Sequence, residues 1–131
     1  MTIYFLPAPN EIKKMIITSS VIVRVDIVKE RASLKHGYFR AKLYLINFDF
    51  VEIAEFFSVE NQKCKTINYR YQWMDKSKKQ LIKRWDNVDH FPDLPNFPHH
   101  IHIGDENNVE PGQSLSILDL IAIIENEISV S

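Results

Sequence analysis

Several kinds of residue and segment are scarce in this chain, and each scarcity excludes a class of protein. Among its 131 residues there is a single cysteine, Cys64, so no disulfide forms within the chain and a reducing cytosol is expected. Three glycines are too few for a glycine-rich nucleotide-phosphate loop. The most apolar early run, residues 15–28, contains Arg24 and Asp26 and is too short and polar to cross a bilayer. No export signal is recognisable, and we therefore expect a cytoplasmic protein with no membrane partner.

Basic residues are absent from the last third of the chain. All 16 lysines and arginines lie at or before Arg84, with 8 of the 17 acidic residues, so residues 1–84 carry a net charge of +8. The other 9 acidic residues give residues 85–131 a net charge of −9. Two interpretations stay open. The acidic segment packs against the basic part and neutralises it, or part of the basic surface binds a polyanion such as nucleic acid.

Alternation of apolar and polar residues predicts a series of β-strands. The pattern starts at Val21, and in a second strand Phe39, Ala41, Leu43 and Leu45 share one face, opposite a face with Tyr38, Arg40, Lys42 and Tyr44. Further strands are predicted over residues 50–59, 65–74 and 80–85, with a short edge strand over residues 99–103. Short loops between successive strands favour antiparallel neighbours. The sequence therefore predicts an antiparallel meander of five to six strands.

Helical patterns lie near the two ends of the chain. Asn10 is a candidate N-cap of an N-terminal helix. Ser116 and Asp119 have the spacing of a capping box, and Ile117, Ile121 and Ile124 continue from it at helical spacing. The predicted fold class is α+β, with an N-terminal helix and a C-terminal amphipathic helix on one sheet. At this length we expect a single domain over residues 1–131.

The predicted fourth strand carries a row of aromatic residues. Tyr69, Tyr71 and Trp73 share one face, and Arg70 and Gln72 share the other. Such a row either stacks on nucleic-acid bases while nearby cations hold phosphates, or packs as an aromatic ladder beneath a helix. The candidate nucleic-acid contacts are Arg70, Lys83, Arg84, Tyr71 and Trp73.

The segment from Trp85 to His102 holds four of the five histidines together with several prolines and aspartates. Proline excludes a helix or a long central strand, so we expect an ordered loop that enters a short strand. There His100 and His102 share one face, and His99 lies on the other. Three interpretations stay open: a structural hydrogen-bonding corner, an acid–base pair, or a metal site completed by Asp86, Asp89 or His90.

Three motifs together resemble the TumE-type toxins of prokaryotic toxin–antitoxin modules. They are Tyr69-x-Tyr71-x-Trp73-x-Asp75, then Arg84-Trp85-Asp86-Asn87, then Phe97-Pro98-His99-His100-x-His102. The resemblance covers residues 69–129. Where the family has two histidines after the Trp-Asp-Asn motif, this chain has only His90. The resemblance implies toxicity and a cognate antitoxin of the helix-turn-helix type as partner.

These observations combine into one functional expectation. The chain is predicted to be a toxin that cleaves RNA without a metal or other cofactor, by acid–base catalysis at His90, His100, His102 and Asp86. The alternatives are a non-catalytic interaction protein and a His/Asp metal-binding domain. The predicted edge strand at residues 99–103 would favour a homodimer.

Overall fold

The fold is one antiparallel sheet with two helices, as the computed structural model shows for residues 7–61 and 63–129. The seven strands follow one another in chain order across the sheet, and every neighbouring pair is antiparallel. The elements are α1 (Pro7–Thr18), β1 (Ile22–Ala32), β2 (His36–Leu45), β3 (Phe50–Glu60), β4 (Lys63–Met74), β5 (Leu81–Asp86), β6 (His100–Ile103), β7 (Val109–Pro111) and α2 (Ile117–Ser129). The predicted α+β meander is confirmed, with one or two more strands than expected.

Both helices pack on the same face of the sheet, and the core lies between them and the strands. In β2 the alternate residues Phe39, Ala41 and Leu43 are at most 1% exposed. The helices contribute buried residues to the same cluster, among them Ile12, Ile16, Ile117, Leu120, Ile121 and Ile124. Full burial of one such aliphatic side chain stabilises the fold by about 1.5–3 kcal/mol. Period-two alternation therefore places every second side chain of the central strands in this core.

The capping box at the start of α2 forms as predicted. The backbone N–H of Asp119 donates to Ser116 Oγ at 3.2 Å, and the backbone N–H of Ser116 donates to Asp119 Oδ2 at 3.1 Å. The proposed cap of α1 is wrong in position, because the helix begins at Pro7 and Asn10 lies inside it. The side chain of Cys64 lies outside the described residues.

Strand β6 is not an edge strand, in contrast to the sequence-based expectation. Strand β7 pairs with its outer side, with His102 opposite Val109 and His100 opposite Pro111. The outer strands of the sheet are therefore β1 and β7. Because β6 is paired with β5 and β7, it offers no free edge to a second copy of the chain. The homodimer therefore stays only a prediction.

The face of the sheet without helices is called the open face below. Two rows of side chains cross it, each from directly paired residues of β2 to β6. The first row contains Arg40, Ala54, Arg70, Asp86 and His100, and the second contains Lys42, Glu52, Gln72, Arg84 and His102. The sheet thus aligns basic residues of β2 and β4 with the histidines of β6. Neither helix has the length and apolar character needed to cross a membrane, as far as the described residues go.

Candidate functional site

The loop between β5 and β6 covers one corner of the open face. Phe91 in this loop has φ of 61°, in the left-handed region that a bulky residue rarely adopts. Its ring packs edge-on against two imidazoles, with centroids 5.1 Å from His100 and 6.0 Å from His102. The loop is therefore held in an unfavourable backbone conformation that places an aromatic ring over the histidines.

Beneath this ring, two histidines converge on one carboxylate, and we call Asp86, His100 and His102 the triad. Nε2 of His100 lies 2.9 Å from Oδ1 of Asp86, and Nε2 of His102 lies 3.8 Å from Oδ2. The exposed fractions are 3% for Asp86, 2% for His100 and 5% for His102. Register explains the choice of carboxylate, because Asp86 of β5 pairs directly with His100 of β6.

Backbone carbonyl groups determine the tautomers of the two histidines. Nδ1 of His100 lies 2.9 Å from the carbonyl oxygen of Pro98, and Nδ1 of His102 lies 2.8 Å from that of Glu106. A carbonyl oxygen only accepts hydrogen bonds, so each Nδ1 atom carries the hydrogen. In the neutral rings both Nε2 lone pairs therefore point at Asp86. Nε2 of His100 and Oδ1 of Asp86 are then two lone-pair donors that lie only 2.9 Å apart. Such a pair requires a proton or another cation between the two atoms.

The local environment favours the neutral form of His102. Burial is the largest influence and holds the pKa of His102 below its ordinary value of 6.5, and the nearby charge of Arg84 lowers it further. The hydrogen bond to the Glu106 carbonyl and the charge of Asp86 oppose this shift without reversing it. His102 thus presents an unprotonated Nε2 to the centre of the triad.

Arg84 lies between two carboxylates beside the triad. Its Nε atom is 3.4 Å from Oδ2 of Asp86, and its Nη1 atom donates to Oε1 of Glu106 at 2.7 Å. The hydrogen bond and charge of Arg84 lower the pKa of Glu106. Among the described residues, Arg84 Nε is the one buried side-chain polar atom that lacks a hydrogen-bond partner. The guanidinium is therefore charge-balanced but not fully hydrogen-bonded.

The other sequence-predicted site residues lie in different surroundings. His90 is exposed at the rim of the loop, with its ring edge-on to Phe91 at 6.1 Å between centroids. Arg70 is exposed on the open face next to Asp86 and makes no ion pair with any described residue. Lys83 points to the opposite face, where its Nζ donates to Oε1 of Glu127 at 2.6 Å. Lys83 therefore lies on the other side of the sheet from Arg70, in an ion pair with Glu127.

Tyr71 and Trp73 also do not fit a nucleic-acid contact. Tyr71 is 0% and Trp73 4% exposed, because their side of β4 faces the helices. The Tyr71 hydroxyl donates to Oε1 of Glu55 at 2.7 Å, and Trp73 Nε1 donates to Oδ2 of Asp49 at 2.9 Å. With their rings packed in the core, neither residue offers a surface on which a base can stack.

The open face offers aromatic rings that the sequence-based assignment omitted. Tyr38 and Phe56 are half-buried there, and His36 stacks on Phe56 with ring centroids 5.6 Å apart. Beside Tyr38 lies a depression of about 280 Å³, lined by Tyr38, Arg40, Glu52, Ala54, Arg70 and Gln72. The signal was present in the sequence, since the alternation in β2 already placed Tyr38 on the polar face with Arg40.

The triad is also the one group of metal-ligating side chains found among the described residues. One ligand atom from each of its three members lies within 4.8 Å of the others. The donor set of two imidazole nitrogens and one carboxylate oxygen suits zinc and related transition metals. The corner can therefore hold either a shared proton or a metal ion.

Comparison with known proteins identifies a family. A family model described as "Toxin TumE" matches residues 12–129, which is nearly the whole chain. Searches of the curated proteins and of the solved structures found no match.

Proposed function

The chain belongs to the TumE toxin family, and from this we propose that it is the toxin component of a toxin–antitoxin module and that its target is RNA. The observation that carries the choice of RNA is the pairing of Arg70 with Asp86 across β4 and β5. It places an exposed arginine, free of any ion pair with the described residues, directly beside the buried triad. Phosphate groups are the natural ligands of such an arginine.

The open face has the features that single-stranded RNA requires. Arg70 and Lys42 provide positive charge without an ion pair among the described residues, and Tyr38 and Phe56 provide partly exposed rings. Proteins that bind single strands combine such cations, which hold phosphates, with aromatic rings, on which bases stack. We place the RNA backbone along Arg70 and the scissile phosphate near the triad.

Cleavage of RNA at this corner follows a simple chemical scheme. The 2′-hydroxyl oxygen forms a bond to phosphorus, its proton passes to a base, the bond from phosphorus to the 5′-oxygen breaks, and that oxygen takes up a proton. His90 is exposed at the rim, and we assign it to one of these proton transfers. Asp86, His100 and His102 lie behind Phe91.

The metal-independent version of this scheme stays a prediction. In the described conformation the Nε2 atoms of His100 and His102 point at Asp86, and their Nδ1 atoms are bound to carbonyl groups. Neither ring exchanges a proton with RNA in this arrangement. Acid–base action by these two histidines therefore requires that Phe91 move aside and that at least one imidazole turn away from the carboxylate.

Expression in a bacterial host under a tightly repressed promoter tests the proposal. We expect the wild-type chain to arrest growth and to fragment RNA, and co-expression of a helix-turn-helix antitoxin to restore growth. Arg70→Gln is expected to weaken both effects. Lys14→Gln, which removes one exposed charge from helix α1, serves as the matched control and is expected to leave them unchanged. Equal toxicity of the two variants would contradict RNA binding through Arg70.

A further inference from the structure

We propose that the triad of Asp86, His100 and His102 is a binding site for one divalent transition metal ion of the zinc class. The inference rests on the proposed function in one respect, because it assigns a cofactor to the corner at which RNA is expected to react. It develops the metal-site alternative that the sequence left open, and the metal-independent scheme stays a prediction. The argument uses the positions of the ligand atoms, the contacts around them and the local charge.

The three potential ligand atoms lie close enough together to surround one metal ion. Ligands at about 2.0–2.2 Å from a tetrahedral zinc ion lie roughly 3.4 Å from one another. The observed separations are 2.9 Å between His100 Nε2 and Asp86 Oδ1 and 3.8 Å between His102 Nε2 and Asp86 Oδ2. One ligand atom from each of the three residues lies within 4.8 Å of the other two, so shifts of at most about 1.4 Å bring the three atoms to the separations of a tetrahedral zinc site. Both Nε2 lone pairs already point toward Asp86, because each Nδ1 atom is bound to a carbonyl group.

The contacts behind the triad are those found behind metal ligands. Histidine ligands usually donate the N–H of the other ring nitrogen to a carbonyl or carboxylate, which orients the ring. Here Pro98 and Glu106 supply the two carbonyl groups, at 2.9 and 2.8 Å. The carboxylate is oriented as well, since Oδ1 of Asp86 accepts the backbone N–H of Val88 at 3.0 Å.

The unpartnered Nε atom of Arg84 provides an independent observation. This buried N–H group lies 3.4 Å from Oδ2 of Asp86 and makes no hydrogen bond to it. A small movement of the carboxylate toward a metal ion would let one of its oxygens accept this N–H. The positive charge of Arg84 is balanced by Glu106 at 2.7 Å, so it opposes a bound cation only weakly. The same movement would thus give the buried N–H group of Arg84 a hydrogen-bond acceptor and the carboxylate of Asp86 a bound cation.

The ligand set also indicates the type of metal and its use. Two imidazoles exclude magnesium and calcium, which prefer oxygen ligands. Three protein ligands leave a coordination position for water, as in catalytic zinc sites. A metal ion at this position lowers the pKa of its bound water and polarises a nearby phosphate oxygen. Phe91 covers the triad from the open face and would control access to that position.

Metal binding by tag-free protein tests the inference without RNA. After dialysis against a chelator, zinc or cobalt(II) is added, and stoichiometry and affinity are measured by titration calorimetry and elemental analysis. We expect one ion per wild-type chain. His100→Asn and His102→Asn keep a side-chain N–H near the Nδ1 position and lose the ligand atom, so affinity is expected to fall at least about 100-fold.

Histidines outside the triad are the matched controls. His90→Asn changes the neighbouring exposed histidine and His36→Asn a distant exposed one, and both variants are expected to bind metal as the wild type does. X-ray absorption of the zinc-loaded wild type, which needs no variant, is expected to show two imidazole ligands. Wild-type protein that takes up no metal, or that binds it equally well without His100 and His102, would overturn the site. Loss of RNA cleavage with intact metal binding would instead contradict the proposed function alone.

Discussion

Nε2 of His100 lies 2.9 Å from Oδ1 of Asp86, and both side chains are almost completely buried on the helix-free side of the sheet. Burial of a carboxylate is unfavourable unless charge and hydrogen bonds compensate it. Here the compensation comes from His100, from Arg84 and from the backbone N–H of Val88. The corner is therefore both a stabilising network and the chemically most capable part of the described structure.

Removal of the central carboxylate should destabilise the fold. Asp86→Ala leaves Arg84 and the two histidines without their common partner, and we expect the free energy of unfolding to fall by about 3–5 kcal/mol in metal-free protein. Urea unfolding of the wild type and of Asp86→Ala, both without metal, measures this difference in the free energy of unfolding. Asp26→Ala, which breaks an exposed pair with Arg24, is the control and should cost at most about 1 kcal/mol. Equal losses in the two variants would show that the buried network contributes no more to the free energy of unfolding than an exposed ion pair does.

At position 91, a glycine substitution should give a more stable protein than an alanine substitution. A residue with a Cβ atom pays about 1–2 kcal/mol in the left-handed region, whereas glycine does not. Phe91→Gly is therefore expected to be more stable than Phe91→Ala by about 1 kcal/mol in thermal unfolding. In both variants His100 and His102 lose their cover and should react several-fold faster with diethyl pyrocarbonate. Unchanged reactivity would contradict the role of Phe91 as a cover.

The pH dependence of the free energy of unfolding should show that the pKa of Glu55 is raised in the folded protein. This carboxyl group accepts hydrogen bonds from the Tyr71 hydroxyl at 2.7 Å and from the backbone N–H of Ile117 at 3.1 Å. Burial raises its pKa above the ordinary 4.5, and the hydrogen bonds offset this only in part. The folded state binds the proton of Glu55 more tightly than the unfolded state does. The contribution of this proton to the free energy of unfolding is therefore complete below pH 4.5 and is lost as the pH rises through the folded pKa.

Glu55→Gln isolates this contribution, because the amide does not titrate. We expect the stability of the wild type relative to this variant to decrease between pH 4 and pH 7, as measured by urea unfolding at several pH values. A constant difference between the wild type and Glu55→Gln would mean that Glu55 titrates normally.

Much of the fold could be predicted because side-chain alternation and chain spacing are local properties. The faces of β2 followed from its pattern, and the capping box of α2 followed from the spacing of Ser116 and Asp119. Strand β7 was missed, since three residues ending in Pro111 carry no periodic signal. Its position depends on pairing with β6, which is a tertiary contact.

The candidate site was predictable only in part for a similar reason. Spacing placed His100 and His102 on one face, but it could not choose among Asp86, Asp89 and His90 as their partner. That choice depends on the register of β5 and β6. Alternation also grouped Tyr71 with Trp73 without showing that helices cover their side of the sheet. The position of Phe91 over the histidines comes from loop geometry that no local pattern encodes.

Cleavage of RNA by the purified protein tests the central claim most directly. A labelled single-stranded RNA is incubated with wild-type protein and with a folded His100→Asn/His102→Asn variant, each in the presence of zinc and in the presence of a chelator. The account predicts fragments with zinc-supplied wild type and none with the variant. Intact RNA with wild-type protein under both conditions would contradict an RNA-cleaving site at this corner.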